Sequence, residues 1–106
     1  MNKNINLAIP LQYNKNKSSF QKTALMESIS SHRIKVLTNE PAKKGELVDL
    51  NIYFPHLEPL SIQGEIKEAK DIKESMVAEN FSHEWEIDLD KNSNLYQRLS
   101  RILFSL

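Results

Sequence analysis

A chain of 106 residues, 40% hydrophobic and 26% charged, has the size and composition of a single folded domain, residues 1–106, with one modest core. It contains no cysteine, which removes disulfides, thiol nucleophiles and cysteine-ligated metals. Its only two glycines, Gly45 and Gly64, stand too far apart for a dinucleotide fingerprint or a Walker phosphate loop. The net charge of zero conceals a pattern: residues 1–39 carry +5, residues 40–90 carry −8 and residues 91–106 carry +3. Folding the two basic ends onto one face would make an anion-attracting patch, and interspersing them would erase it.

In chain order, MNKNINLAIPLQY opens the sequence. Asn6 and Pro10 interrupt its apolar run, so it is not read as a secretory leader, and residues 5–13 suit a first strand with Pro10 at an edge or bulge. No stretch approaches the roughly twenty apolar residues of a membrane span, and a cytoplasmic protein without membrane insertion is expected. NKNKSS, residues 14 to 19, is the nearest thing to a linker. Residues 19–30 are a strand or a short helix. Ala24, Leu25, Met26 and Glu27 are good helix formers, but the serine-rich turn and the strand that follow favour a strand. Residues 33–38 fit a short strand.

Alternation with a period of two then dominates. Val48, Leu50, Ile52 and Phe54 share one face of residues 48–54, and Leu60, Ile62, Gly64 and Ile66 one face of residues 60–66. In residues 84–90, Trp85, Ile87 and Leu89 alternate with Glu84, Glu86, Asp88 and Asp90. That pattern describes a half-buried antiparallel strand with an acidic solvent face. EPAKKG (40–45) and PHLEP (55–59) read as turns, and the connection around KDIKESMVAENFSH is longer. Finally Leu95, Leu99, Ile102, Leu103 and Leu106 recur at helical spacing, capped by Asn92, Ser93 or Asn94. The sum is five or six antiparallel strands and a C-terminal helix, arranged as a small barrel or curled sheet, since closure removes exposed edges.

No nucleophile–base pair and no cofactor motif stands out, so no enzyme and no cofactor are expected. His32, His56 and His83 lie on separate turns, without the convergent ligands a metal requires. The four acids of residues 84–90 read as a solvated face and Trp85 as packing. Lys15, Lys17 and Lys22 near Tyr13 and Phe20 make a faint basic–aromatic mix of the kind that binds nucleic acid. The stretch SISSHRIKV, residues 28 to 36, raises the sharpest question. Its serines are turn residues bonding their own backbone, or a phosphate-binding corner completed by Arg33.

The rhythm of ALMESISSHRIKVLTNEPAKKGELVDLNIYFP, followed by IQGEIKEA and EWEIDLD, resembles that of PilZ domains, a bacterial family whose members typically bind cyclic di-GMP. The resemblance implies a mainly β fold: a small six-stranded antiparallel barrel of split-barrel type with a C-terminal helix. It also implies two binding motifs, Arg-x-x-x-Arg before the first strand and Asp/Asn-x-Ser-x-x-Gly where the second strand meets the third. Set on the second motif, Ser30 matches the serine, Ser28 replaces the acid or amide, and Arg33 replaces the glycine. Before Ile5 the only cation is Lys3. Lysine lacks the planar fork with which arginine grips phosphate and guanine. The expectation is therefore a non-enzymatic signalling or adaptor domain that has lost the standard nucleotide mode and acts through an unknown protein partner. The alternatives are cyclic di-GMP, as a ligand, bound through Lys3, Ser28, Ser30 and Arg33, and a nucleic-acid-binding barrel.

Overall fold

The computed structural model describes residues 4–16, 22–30, 32–54, 58–72 and 81–90, with Gln97 and Arg101 beyond them. Of residues 4–8 and 30 only the backbone is described. The strands are β1 (Asn4–Lys15), β2 (Lys22–Ser30), β3 (Arg33–Thr38), β4 (Leu47–Ile52), β5 (Leu60–Asp71) and β6 (His83–Leu89). All pair antiparallel and close into a barrel in the order β1-β2-β3-β6-β5-β4. Gln97 and Arg101 are helical. The rest of the expected C-terminal helix, with its apolar stripe, lies outside the described residues.

Alternation builds the interior. Leu11 and Tyr13 of β1, Ile34 and Val36 of β3, Val48, Leu50 and Ile52 of β4, Leu60, Ile62 and Ile66 of β5, and Trp85, Ile87 and Leu89 of β6 form one buried cluster. Each fully buried aliphatic side chain contributes roughly 1.5–3 kcal/mol. Residues 22–30 are a strand despite their helix formers, because Ala24, Met26 and Ile29 fill the same interior. Between Met26 and Ser28 the ladder to β3 slips. That bulge at Glu27 resets the inward parity from Met26 to Ile29, which explains why the alternation looks imperfect in the sequence. A second irregularity, between Ile66 and Glu68, carries β5 on to Asp71, five residues past the expected strand. β1 likewise runs to Lys15, so Asn14 and Lys15 belong to a ladder with β4 and not to a linker. Asn16 then turns the chain with φ 55. Pro10 occupies no edge, since the barrel has none. It follows a β1–β2 irregularity between Asn6 and Ile9, and lies next to Leu11, where the β4 ladder begins.

Gly64 marks a close approach of β5 to β6. A Cβ there would lie 2.9 Å from the Asp88 carbonyl oxygen and would meet the Ile87 side chain, so only glycine lets β5 and β6 pack this closely. Gly45 serves differently. Its φ of 95 ends the turn of residues 40–45, with open space around it.

A polar network gathers on Tyr13 and Glu40, near the ends of β1 and β3. Tyr13, 2% exposed, donates its hydroxyl proton to Glu40 Oε1 at 2.7 Å and lies 2.9 Å from Thr38 Oγ1. Glu40 also receives Lys15 at 3.2 Å and Lys22 at 3.1 Å. Its carbonyl oxygen accepts the indole N–H of Trp85 at 3.1 Å. Trp85 and Tyr13 pack edge to face, 4.9 Å between centroids, worth about 0.5–1.5 kcal/mol beyond area burial. Burial, foremost, pushes the Tyr13 hydroxyl far above its usual range. Burial alone would raise the Glu40 carboxyl too, but its hydrogen bonds from Tyr13, Lys22 and Lys15 outweigh it and hold the group below the usual carboxylate range.

Candidate functional site

The β2–β3 hairpin sets Ser30 directly opposite Arg33 and Ser28 opposite Lys35. Three of the residues singled out in the sequence therefore meet at one corner of the barrel, and Lys3 lies outside the described residues. Ser28 is half-buried between Asn6 of β1 and Lys35 of β3. Arg33 takes an ordinary strand conformation. The only positive φ among the described non-glycine residues is that of Asn16, so the position where a glycine was expected imposes no strain on an arginine.

The neighbour of this corner is the last strand, because β3 pairs with β6 and sets Arg33 against Asp88. Arg33 Nε donates to Asp88 Oδ1 at 2.6 Å, and a second guanidinium nitrogen lies 3.5 Å from Oδ2. Glu86 comes within 3.7 Å on the other side. The hydrogen bond to Asp88, then its charge, raises the Arg33 pKa further. Burial by itself would raise the Asp88 carboxyl, but the hydrogen bond and charge of Arg33, then His32 and Lys67, hold it below the usual range. Lys67 stands 3.9 Å from Asp88 and 2.9 Å from Glu65, and its pKa is raised chiefly by the hydrogen bond to Glu65. The carbonyl of His32 accepts the Leu89 N–H at 2.7 Å, tying the turn to β6. Its imidazole lies 3.9 Å from Asp88.

Beside this knot opens a depression of about 350 Å³, lined by His32, Gly64, Lys67, Asp88 and Asp90 among others. It is large enough for a small ligand, but its charges are mixed and already matched. The acids of β6 are not a freely solvated face. Glu84 pairs with Lys70 at 3.3 Å, Glu86 with Arg33, and Asp88 with Arg33 and Lys67. Asp90 lies past the end of the strand and is exposed. The histidines are engaged too, His83 lying 2.9 Å from Asp71, and His56 is outside the described residues. Among the described residues no group of three or more His, Cys, Asp or Glu is arranged to hold a metal, and no helix is long and apolar enough to cross a membrane.

Among the described residues the basic–aromatic mix of the N-terminal third does not assemble. Tyr13 is buried in the core, and Lys15 and Lys22 are bound to Glu40. Lys17 and Phe20 are outside the described residues. What the sequence reading missed is the Asp88–Arg33–Glu86 set and Lys67. The alternating acids were visible, but nothing local says that β6 lies beside β3.

No sequence-family profile matches the chain, and no curated protein does. Solved structures do match. The PilZ domain of CeSA from a cellulose-synthesizing bacterium superposes with TM-score 0.69 at 20% identity, over 97% of this chain and 96% of that one. The PilZ domain of YcgR from Escherichia coli, solved with c-di-GMP, gives TM-score 0.76 at 15% identity over 99% and 88%. The inhibitor of motility MotI/DgrA of Bacillus subtilis gives 0.67 at 13% over 96% of this chain and 50% of its own. The closed six-stranded barrel of this chain has the PilZ fold.

Proposed function

We propose that residues 1–106 form one divergent PilZ domain, a non-enzymatic signalling or adaptor module of the bacterial cytoplasm that has lost the standard cyclic di-GMP mode and works through protein contacts. The carrying observation is that Arg33, the sole arginine at the corner among the described residues, has its guanidinium occupied by Asp88 and Glu86. A nucleotide phosphate would have to displace a carboxylate that already matches the guanidinium fork, next to the further acids Glu65 and Glu86. A hydrogen bond to a charged group is worth about 1.5–3 kcal/mol. The absence of two arginine contacts therefore removes roughly 3–6 kcal/mol, or two to four decades of affinity. The fold supports the family reading, since YcgR, which shares it, was solved with c-di-GMP.

A second reading has one observation in its favour. Ser30 and Arg33 are register partners at the corner, so Lys3, Ser28, Ser30 and Arg33 would bind cyclic di-GMP if Arg33 exchanged Asp88 for phosphate. Calorimetric titration with cyclic di-GMP to high micromolar concentration separates the two. Absence of saturable heat is the expected result. Saturable heat at one or two nucleotides per chain, abolished by Arg33→Ala, would establish the second reading instead.

A further inference from the structure

The outside of the barrel is charged on one side and nearly neutral on the other. β3, β6 and the far half of β5 turn out Arg33, Lys35, Lys70, Glu84, Glu86 and Asp88, laced into ion pairs. The charged side reaches as far as Leu47, which faces Glu65 across the ladder and lines the depression with Lys67 and Asp88, and beyond it, along the ladder of β1 and β4 and the start of β5, the outward positions are amides, hydroxyls and apolar groups. Asp49 is the exception. Its register partners are Asn14 on β1 and Gln63 on β5, so neither is a cation, and among the described residues its exposed carboxylate forms no ion pair.

The outward row of β4, continued past its end, reads Leu47, Asp49, Asn51, Tyr53. Leu47, 46% exposed, and Tyr53, 37% exposed, are the two exposed large hydrophobic residues among those described, and they bracket the carboxylate. Between β4 and β5 lies a shallow depression of about 330 Å³, bounded by Asp49, Asn51, Ser61 and Gln63. Its rim is held in place: Tyr53 donates its hydroxyl proton to Gln12 at 3.0 Å, and Ser61 donates to Asn51 at 2.5 Å. Rigid aromatic anchors beside an uncharged polar surface are what protein interfaces concentrate at their centres, while charged residues are depleted there.

We propose that this β4–β5 wall is a docking surface for a partner protein that presents one Arg or Lys flanked by uncharged side chains. The cation pairs with Asp49, and its apolar neighbours cover Leu47 and Tyr53. Charge complementarity sets that chemistry. A partner acid would face an unpaired carboxylate, and a polybasic partner would bury surplus cations with no counter-ion. A second copy of the chain, docked symmetrically through this wall, would bring it the same amides and hydroxyls and no cation for Asp49. The closed barrel offers no strand edge for β-augmentation, so recognition falls to side chains. The proposal rests on the adaptor reading above and names its surface.

The test is selection of a random dodecapeptide display library on the full chain, followed by nuclear magnetic resonance titration of the enriched peptides. Expected are peptides with a single cation among apolar or amide residues, which shift the signals of Asp49, Asn51, Tyr53 and Ser61. Asp49→Asn and Tyr53→Ala should each weaken them about tenfold, and Arg33→Ala less than about twofold. No enrichment, polybasic or acidic peptides, shifts confined to the Arg33–Asp88 corner, or self-association through this wall in sedimentation would each overturn it. Failure of the adaptor reading is seen separately, as cyclic di-GMP heat lost with Arg33→Ala and unaffected by Asp49→Asn.

Discussion

A double-substitution cycle on Arg33 and Asp88 measures whether the guanidinium at the corner is committed. Asp88→Asn keeps the side chain's shape, Arg33→Gln keeps the apolar stem and a polar end, and each removes the charge. Exposed ion pairs contribute about 0.2–1 kcal/mol. The two-pronged contact at 2.6 and 3.5 Å, with an Asp88 side chain only 19% exposed, argues for the upper end, about 1 kcal/mol of coupling at pH 7. Each single variant leaves a backup contact, Glu86 for Arg33 and Lys67 for Asp88, so only the cycle isolates the pair. The Asp88 pKa is depressed. Its contribution is therefore present above the unfolded aspartate value, near 3.9, and disappears as the pH falls through the lower folded value. Urea unfolding, followed through the fluorescence of the buried single tryptophan Trp85, reads all four proteins. The expected result is coupling of about 1 kcal/mol at pH 7 and pH 5 that declines below about pH 4. Zero coupling at pH 7 in low salt would refute the reasoning and return Arg33 to the pool of cations free to meet a ligand.

Gly64→Ala should destabilise the barrel by about 1–3 kcal/mol, because the new methyl meets Ile87 and a backbone oxygen of β6. Gly45→Ala, with open space but a φ of 95, should lose about 1–2 kcal/mol through backbone strain alone; urea midpoints compare the two. Tyr13→Phe should cost about 1–3 kcal/mol, since it strips Glu40 and Thr38 of their shared buried partner, and thermal unfolding measures the loss. Burial first, then the charge of Glu84, raises the Glu27 pKa. The stability linked to Glu27 is thus full below the unfolded glutamate value, near 4.3, and is lost as the pH rises through the folded one. Glu27→Gln should accordingly stabilise the protein at pH 7, by up to about 1 kcal/mol, and not at pH 4, as paired urea titrations would show.

The strands were legible where inward parity holds without interruption: β4, the first half of β5, and β6, whose Trp85, Ile87 and Leu89 are all buried. They blurred where a bulge resets that parity, at Glu27 in β2 and at Lys67 in β5, since a single inserted residue turns every later side chain to the other face. The corner was legible as far as Ser28, Ser30 and Arg33 sharing one hairpin. Its electrostatics were not, because Arg33 meets Asp88 across 55 residues of chain, and no local pattern encodes which strand lies next to which. Asp49 was assigned to its outward face from alternation alone. That neither of its ladder partners is a cation follows only from the register that flanks it with Asn14 and Gln63.

The position of β6 between β3 and β5 also bears on how the chain is made. β3 is complete at Thr38, yet the strand that covers its outer edge begins at His83. At roughly 5–20 residues per second of synthesis, that edge stands open for several seconds before its partner leaves the ribosome. An open β edge is a template for pairing with any other chain. Arg33 and Lys35, set along the solvent side of β3, put two positive charges on that edge while it waits, and charges of this kind act as gatekeepers against strand addition. The cations that β6 later neutralises thus protect the unfinished barrel during the interval in which it has nothing to close it.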